Sequence, residues 1–390
     1  MQAPSHTTPF AAAALGGFGL ASAMGIGRFA FTPMLPLMQH AYAMPLQHGS
    51  WLASANYVGY LIGALLCVAL DLRPGTAARF GLCVVALTTV AMGLTDSFAA
   101  WMVLRTLAGV ASAFALVGTA SWAMTVLVRE RRAHWAGWIF FGIGSGIVLA
   151  GLIGLVAGAT NAQPAHTWLL FGAVATAIAA FAWRSLADDD TANVKGASPT
   201  HATGRIDNTA WRLIGCYGVY GFGYILPATF LPALGRQLLP DPLVFGWAWP
   251  AFGAAAALST LIAAKFKRVP PGRLVAFGTL LTAAGVAAPA ISPGLASILV
   301  SALFVGGSFL VVTMAAFQEA RLIAGVNAPR VVAAMTAAFA LGQLIGPLTV
   351  PAGAIDTALT IPSVIASVAL IVAALVLLKS PARRLVHAAD

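Results

Sequence analysis

Two arginines inside apolar runs are the residues best suited to chemistry. Arg28 interrupts the uncharged stretch "MGIGRFAFTPMLP", residues 24–36, and Arg105 lies in "LRTLAGVASA". If these runs cross a membrane, each charge costs about 3 kcal/mol on insertion scales, so it is kept only for a partner or a function. A guanidinium binds carboxylate or phosphate through two parallel hydrogen bonds. The pair therefore predicts a binding site for a small organic anion.

Two structural alternatives remain open for these arginines. Each guanidinium can instead bond backbone carbonyls of a glycine-rich neighbouring helix, or extend along its apolar stem toward the membrane surface. No Asp or Glu of the sequence falls at the depth that we expect for Arg28 and Arg105. An internal ion pair is therefore not the expected solution.

The composition identifies the elements that must position these residues. Of the 390 residues, 60% are hydrophobic and only 8% are charged, whereas a soluble domain has roughly a quarter charged residues. The apolar runs are long enough to span a bilayer and must be helical, because lipid offers no partner to an open backbone group. We predict an all-α membrane protein with twelve transmembrane helices, at about 10–38, 48–70, 77–95, 98–127, 135–159, 166–184, 210–234, 243–264, 273–292, 295–320, 330–354 and 358–378.

The basic residues predict the orientation. Of 21 Lys and Arg, 18 follow even-numbered spans or lie in the central polar stretch or the C-terminal tail, as in the Arg129–Arg132 cluster and Lys265–Arg268. By the positive-inside rule both termini are cytoplasmic, in a multi-pass protein of the bacterial inner membrane. The pI near 10.2 is thereby explained without a nucleic-acid partner.

The two halves of the chain are related by a shift of 196 residues. Gly25 then falls on Gly221, and Gly146 falls on Gly342; Pro36, Trp51 and Ser112 likewise fall on Pro232, Trp247 and Ser308. Each half has an even number of spans, which predicts two parallel six-helix bundles. The expected division is 1–187 for the N-terminal bundle, 188–208 for a cytoplasmic linker and 209–390 for the C-terminal bundle.

Small and polar residues form stripes at helical spacing on four spans of the repeat. These stripes face either a packed neighbouring helix or a central cavity. We expect Arg28, Arg105 and Tyr224 to form one binding layer, and the remaining candidate substrate contacts are Thr32, Ser112, Tyr217 and Ser308.

Two carboxylates near the pathway are candidates for coupling or gating. Glu319 and Asp71 both lie at the cytoplasmic edge in the predicted topology. Protons are therefore a possible coupling partner, although pairing of Glu319 with Arg321 or a loop is the favoured alternative. Cys67, Cys83 and Cys216 lie in or near apolar runs, and the seven His show no metal-ligand spacing, so we expect no metal, no cofactor and no enzyme.

Several strings resemble the major facilitator superfamily. "GIGRFAFTPMLPLMQ" is similar to the first-helix signature of its YbfB/YjiJ-type branch, and "YGFGYILPATFLP" fits that branch as well. The resemblance implies the fold of two six-helix bundles. It also implies that Arg105, in an Arg-x-x-x-Gly element, takes part in coupling. "DLRPG" matches the usual gating element only in part, through Asp71 and Gly75, and the fifth span lacks the Gly-Pro of the antiporter signature.

These observations predict a secondary active transporter that moves a small solute, preferably an organic anion, by alternating access. An exporter of drug-like or hydrophobic compounds is the first alternative, with the arginines serving structure and coupling. A non-transporting membrane sensor or scaffold belongs to another class and predicts no flux. We expect a monomer in the lipid bilayer.

Overall fold

The computed structural model describes residues 8–70, 72–186, 207–238, 241, 246–263 and 269–379. These residues form twelve helices and no β-strand. The helices are α1 (Pro9–Ala41), α2 (Leu46–Leu70), α3 (Pro74–Met92), α4 (Phe98–Arg129), α5 (Ala136–Ala159), α6 (Pro164–Ser185), α7 (Asn208–Leu238), α8 (Ala248–Ala263), α9 (Pro271–Ile291), α10 (Leu295–Ala324), α11 (Ala328–Leu348) and α12 (Ile355–Leu378).

The helices are long and apolar enough to be membrane spans. Within the described residues, eleven of them satisfy the length and hydropathy of a bilayer-crossing segment, and α8 is a shorter apolar helix of 16 residues. Their bounds agree with the predicted spans to within a few residues at most ends. The all-α membrane fold expected from the sequence is therefore confirmed.

The helix contacts of the first half recur in the second half between the helices numbered six higher. In the first half α2 and α3 pack against α4, α3 packs against α6, and α1 packs against α5; in the second half α8 and α9 pack against α10, α9 against α12, and α7 against α11. The most extensive contacts between the halves are those of α2 with α11, of its repeat equivalent α8 with α5, and of α1 with α7. The pattern is that of two parallel six-helix bundles.

Successive helices run antiparallel, which defines two sides of the molecule. We call the side where α1 begins the terminal side and the opposite side the far side. The last residues of α1 and α7 meet on the far side, where Arg236 contacts Pro36. The far half of α1 is closely packed, since every residue from Ser22 to Pro36 is buried.

A close approach of glycines fixes the two bundles internally. A Cβ atom added to Gly25 of α1 would lie 2.5 Å from the backbone of Gly146 in α5. The equivalent pair in the second half behaves alike, because a Cβ atom on Gly342 would lie 3.1 Å from the carbonyl carbon of Gly221. Only small residues allow helices to approach so closely in a membrane. The repeat of the sequence is thus a repeat of packing.

Some predicted features lie outside the described residues. These are Asp71, most of the expected linker 188–208, Lys265, Lys267, Arg268, Arg383 and Arg384. The proposed division of the chain at residues 187 and 209 therefore stays a prediction.

Candidate functional site

A π-helical segment of α1 carries Arg28. Ala21–Phe29 forms nine residues of π-helix between two α-helical segments. Pro33 has no N–H to offer the carbonyl of Phe29, so the regular hydrogen-bond pattern cannot run through this turn. Segments of π-helix are rare in proteins, and those that occur are frequently found at functional sites. The segment leaves backbone carbonyls near Arg28 that need other donors.

Arg105 and Asn56 supply those donors. The Nη1 and Nη2 atoms of Arg105 donate to the carbonyls of Gly27 and Arg28 over 3.3 and 3.2 Å. The Nδ2 atom of Asn56 donates to Gly27 O at 3.3 Å and to Arg105 O at 2.9 Å. Both side chains are buried. The guanidinium of Arg105 therefore bonds backbone carbonyls, which is the first of the two structural alternatives for these arginines. Its contacts position the backbone that carries Arg28.

Arg28 is buried, with a relative exposure of 3%, and points toward the second half of the chain. Its Nη2 atom donates to Oε1 of Gln343 in α11 at 3.0 Å. Its Cζ atom lies 4.1 Å from the ring centroid of Tyr60 and 5.3 Å from that of Tyr57, within cation–π range. In the described part of the chain no carboxylate forms an ion pair with Arg28, and its Nε has no partner.

Gln343 links Arg28 to Tyr224. The side chain of Gln343 is fully buried, and its Nε2 atom donates to the hydroxyl of Tyr224 in α7. Arg28 and Tyr224, which occupy equivalent places in the repeat, are thus linked through this amide. Their role with Arg105 in one binding layer stays a prediction. Sequence reasoning missed Gln343. It is the only amide side chain in α11, and that was the available signal.

We call the group formed by Arg28, Tyr60, Tyr224 and Gln343 the Arg28 site. Two further tyrosines of α7, Tyr217 and Tyr220, lie next to it. Tyr217 donates its hydroxyl to Thr313 at 3.2 Å and is buried. The rings of Tyr217 and Tyr220 lie within 13° of parallel, and those of Tyr220 and Tyr224 within 9°. The predicted contacts Tyr217 and Tyr224 therefore belong to one aromatic surface.

Thr32 lies in a line of hydrogen bonds that joins the two halves beyond Arg28. Its hydroxyl donates to Ala228 O at 2.7 Å. We call the line the far-side seam; its other bonds are Tyr57 to Thr229 at 3.0 Å, Ser54 to Leu344 O at 3.3 Å and Arg236 Nη1 to Pro36 O at 2.6 Å. The seam joins the two halves between the Arg28 site and the far side.

A cavity of about 430 Å³ lies on the far side, at the level of the outer end of the seam. The ends of α1, α5 and α7 and the start of α8 line it, with His40, Asn161, Arg236 and Trp249 among the lining residues. The cavity and the seam thus lie next to each other on the far side, since Arg236 belongs to both.

The two serines of the repeat are placed at helix contacts. A Cβ atom on Gly27 would collide with Oγ of Ser112, so this buried serine packs between α4 and α1. Ser308 donates to Phe304 O at 2.7 Å and shares a 2.7 Å hydrogen bond with Thr282 of α9. Of the predicted contacts, these two face packed neighbours and lie apart from the Arg28 site's hydrogen bonds.

Glu319 lies at the terminal end of α10. Its Oε2 atom accepts a hydrogen bond from Gly272 N at 2.9 Å, in the first turn of α9. A carboxylate is favourable at a helix N-terminus, where unpaired N–H groups and the positive end of the helix dipole meet. The alternative favoured over coupling is pairing of Glu319 with Arg321 or a loop, and the observed partner is instead the first turn of α9.

The fold and the site define a class, namely a multi-pass membrane transporter built from two repeated helix bundles with a buried cationic site between them. The family model for the uncharacterised MFS-type transporter YbfB matches residues 20–378. The chain belongs to this family of the major facilitator superfamily. The family is one of transporters, not of enzymes.

Two further proteins show related sequence or structure. The uncharacterised MFS-type transporter YceJ of Bacillus subtilis (strain 168) is 30% identical over 99 residues, which is 25% of either chain. The crystal structure of a mutant of the nucleoside transporter NupG superposes with a TM-score of 0.68. That match has 12% sequence identity and covers 93% of this chain and 99% of NupG, so it shows the shared fold alone.

Proposed function

We propose that this protein is a secondary active transporter that moves a small organic anion across the bacterial inner membrane by alternating access. The observation that carries the proposal is the buried Arg28, whose hydrogen-bond acceptor is a neutral amide oxygen of the opposite bundle. A buried cation without an anion is costly, and a substrate carboxylate is the missing partner. The distribution of basic residues supports a cytoplasmic terminal side.

Substrate binding would exchange one contact for another. A carboxylate arriving from the terminal side competes with Gln343 Oε1 for the guanidinium of Arg28. The carboxylate wins because it brings a full negative charge and two oxygens to the guanidinium fork, whereas the amide offers one neutral oxygen. The exchange removes the Arg28–Gln343 bond between the bundles. The bundles are then free to rock, and the far-side seam parts to release the solute.

Arg105 acts in this scheme as a positioning residue. Its two hydrogen bonds hold the carbonyls of Gly27 and Arg28, so the π-helical segment presents the Arg28 side chain at a fixed place. Thr32 and Arg236 act as closing contacts rather than as ligands.

Uptake into proteoliposomes tests the proposal. Radiolabelled carboxylates are offered to wild type, Arg28→Gln and Arg28→Lys, with and without a pH gradient that reports proton coupling. We expect Arg28→Gln to abolish uptake and Arg28→Lys to retain a small part, since a lysine lacks the planar fork. Arg184→Gln is the matched control, because Arg184 is exposed at the end of α6. Equal uptake by wild type and Arg28→Gln would remove Arg28 from the mechanism.

Export of hydrophobic, drug-like compounds is the second candidate function. The aromatic surface of Tyr217, Tyr220 and Tyr224 favours it. The structural match to NupG adds nucleosides to the compounds to be offered. Accumulation in intact cells, measured with and without an energised membrane, distinguishes import from export.

A further inference from the structure

We infer that the substrate is a flat aromatic carboxylate, whose carboxylate binds Arg28 and whose ring packs on a stack of parallel rings in the second bundle. The inference rests on the proposed function, since it names the class of anion that the same site takes. Four features of the second bundle and its contact with Arg28 carry it.

The stack is built on one face of α7. Tyr217, Tyr220 and Tyr224 are spaced by three and four residues, which places them one above another on a helix. All three are buried, with exposures of 2%, 1% and 0%. Successive ring centroids are 6.1 and 5.6 Å apart with nearly parallel planes. The face carries three aligned rings that extend from Tyr224 of the Arg28 site toward the terminal side.

Two phenylalanines from other helices continue the same orientation. Phe309 of α10 lies 5.1 Å from Tyr224 with planes 5° apart, and Phe339 of α11 lies 5.4 Å from it with planes 12° apart. Aromatic pairs in proteins adopt offset-stacked and edge-to-face arrangements alike. Next to the stack, Phe29 meets Phe309 at 79°, edge to face. These five rings therefore share nearly one orientation, which suits a flat ligand.

Phe339 and Gln343 show how such a ligand would lie. They are four residues apart in α11, so they share a face of the helix one turn from each other, about 5.4 Å. A carboxylate that replaces the Gln343 amide at Arg28 therefore places a directly attached ring beside Phe339. Phe339 is the most exposed ring of the stack, at 9%. It lies on the terminal side of Gln343, from which the substrate would enter.

Two buried donors near this position have no acceptor. Arg28 Nε and Trp249 Nε1 are buried and have no hydrogen-bond partner within the described residues. Phe29 relates them, since it follows Arg28 in α1 and its ring contacts that of Trp249. Buried donors are normally paired, and each unpaired one costs free energy. Carboxylate and ring oxygens of an aromatic acid are acceptors of the required kind.

Binding of benzoate and of cyclohexanecarboxylate to the purified protein, measured by calorimetry, tests the inference. The two probes have the same charge and nearly the same size, but only benzoate is flat and aromatic. We expect benzoate to bind at least about tenfold more tightly, which corresponds to ~1.4 kcal/mol of stacking. Equal affinities would overturn the aromatic assignment and leave the anion transporter standing.

Phe339→Leu gives the second comparison. We expect it to weaken benzoate binding about tenfold and to leave cyclohexanecarboxylate unchanged, while Phe181→Leu, at a 63% exposed ring on α6, changes neither. A benzoate preference that survives Phe339→Leu would overturn the placement of the ring. Binding of uridine without binding of either carboxylate would overturn both this inference and the proposed function.

Discussion

Gln343→Glu tests whether the amide oxygen of Gln343 occupies the place of a substrate carboxylate. The two side chains have the same shape, so the substitution keeps the packing and adds one negative charge 3.0 Å from Arg28 Nη2. The Tyr224 hydroxyl, which now accepts from the amide, can turn and donate to a carboxylate instead. The variant therefore carries its own internal anion at the Arg28 site.

The magnitude follows from the change in acceptor. At 3 Å and an effective dielectric constant of about 20, two unit charges attract by roughly 5 kcal/mol. Desolvation of the new carboxylate removes a large part of this. A hydrogen bond between charged groups retains about 1.5–3 kcal/mol. Because each 1.4 kcal/mol is a factor of ten, an external carboxylate such as benzoate should bind about 10- to 150-fold more weakly.

Calorimetric titration with benzoate and thermal unfolding of the same purified sample provide the assay. We expect weaker binding together with a higher unfolding temperature, a combination that a misfolded variant does not produce. Gln343→Leu is the control, since it leaves Arg28 without an acceptor and lowers the unfolding temperature. Benzoate binding by Gln343→Glu at the wild-type level would refute the role of Arg28 as the anion anchor.

Three further predictions concern the supporting structure. Arg105→Lys should lower stability by about 1–3 kcal/mol in thermal unfolding, because an ammonium lacks the planar fork that reaches both carbonyls at once. An unchanged stability would exclude the positioning role. Arg236→Ala should increase labelling of a Thr229→Cys probe by an impermeant maleimide from the far side, in a background without native cysteines; unchanged labelling would show that Arg236 does not hold the seam. Gly25→Ala should disrupt folding, seen as lost expression, whereas Gly215→Ala, with open space around it, should be tolerated; equal expression would contradict the close approach of α1 and α5.

The architecture was predictable because its causes are local or periodic. Bilayer thickness fixes the length of an apolar helix, and the twelve runs of the sequence became twelve helices in the described residues. The repeat was predictable for a similar reason. Gly25 and Gly146 pack as Gly221 and Gly342 do, so one packing solution served both halves and left the same residues in both.

The site was predictable only in part, because a stripe of small and polar residues does not reveal what it faces. Arg28 and Arg105 look alike in the sequence, yet Arg105 donates to carbonyls of a π-helical segment. Pro33 indicates an irregular turn there, but not which side chain bonds its carbonyls. Ser308, expected to contact substrate, likewise shares a hydrogen bond with Thr282 of α9. Which neighbour lies across from a residue is a property of the assembled bundle.

Gln343 is noticeable in the sequence, but its role cannot be assigned from the sequence. A single amide in an apolar helix carries a signal, but its meaning depends on the partner 315 residues away, which only the fold brings within reach. The roles of Arg28, Tyr224, Tyr217 and Thr32 in substrate movement stay predictions, for which the experiments above are the test.

The bond between Thr32 and Ala228 has a geometric consequence. The two residues are 196 positions apart, the same as the repeat offset, so they are symmetry mates that touch each other. Mates can meet only beside the rotation axis that relates the bundles, and a solute crossing between the bundles travels near that axis. In the proposed transport cycle the hydroxyl of Thr32 would stand at the middle of the exit, and displacing it would cost on the order of 1 kcal/mol, little more than thermal agitation supplies.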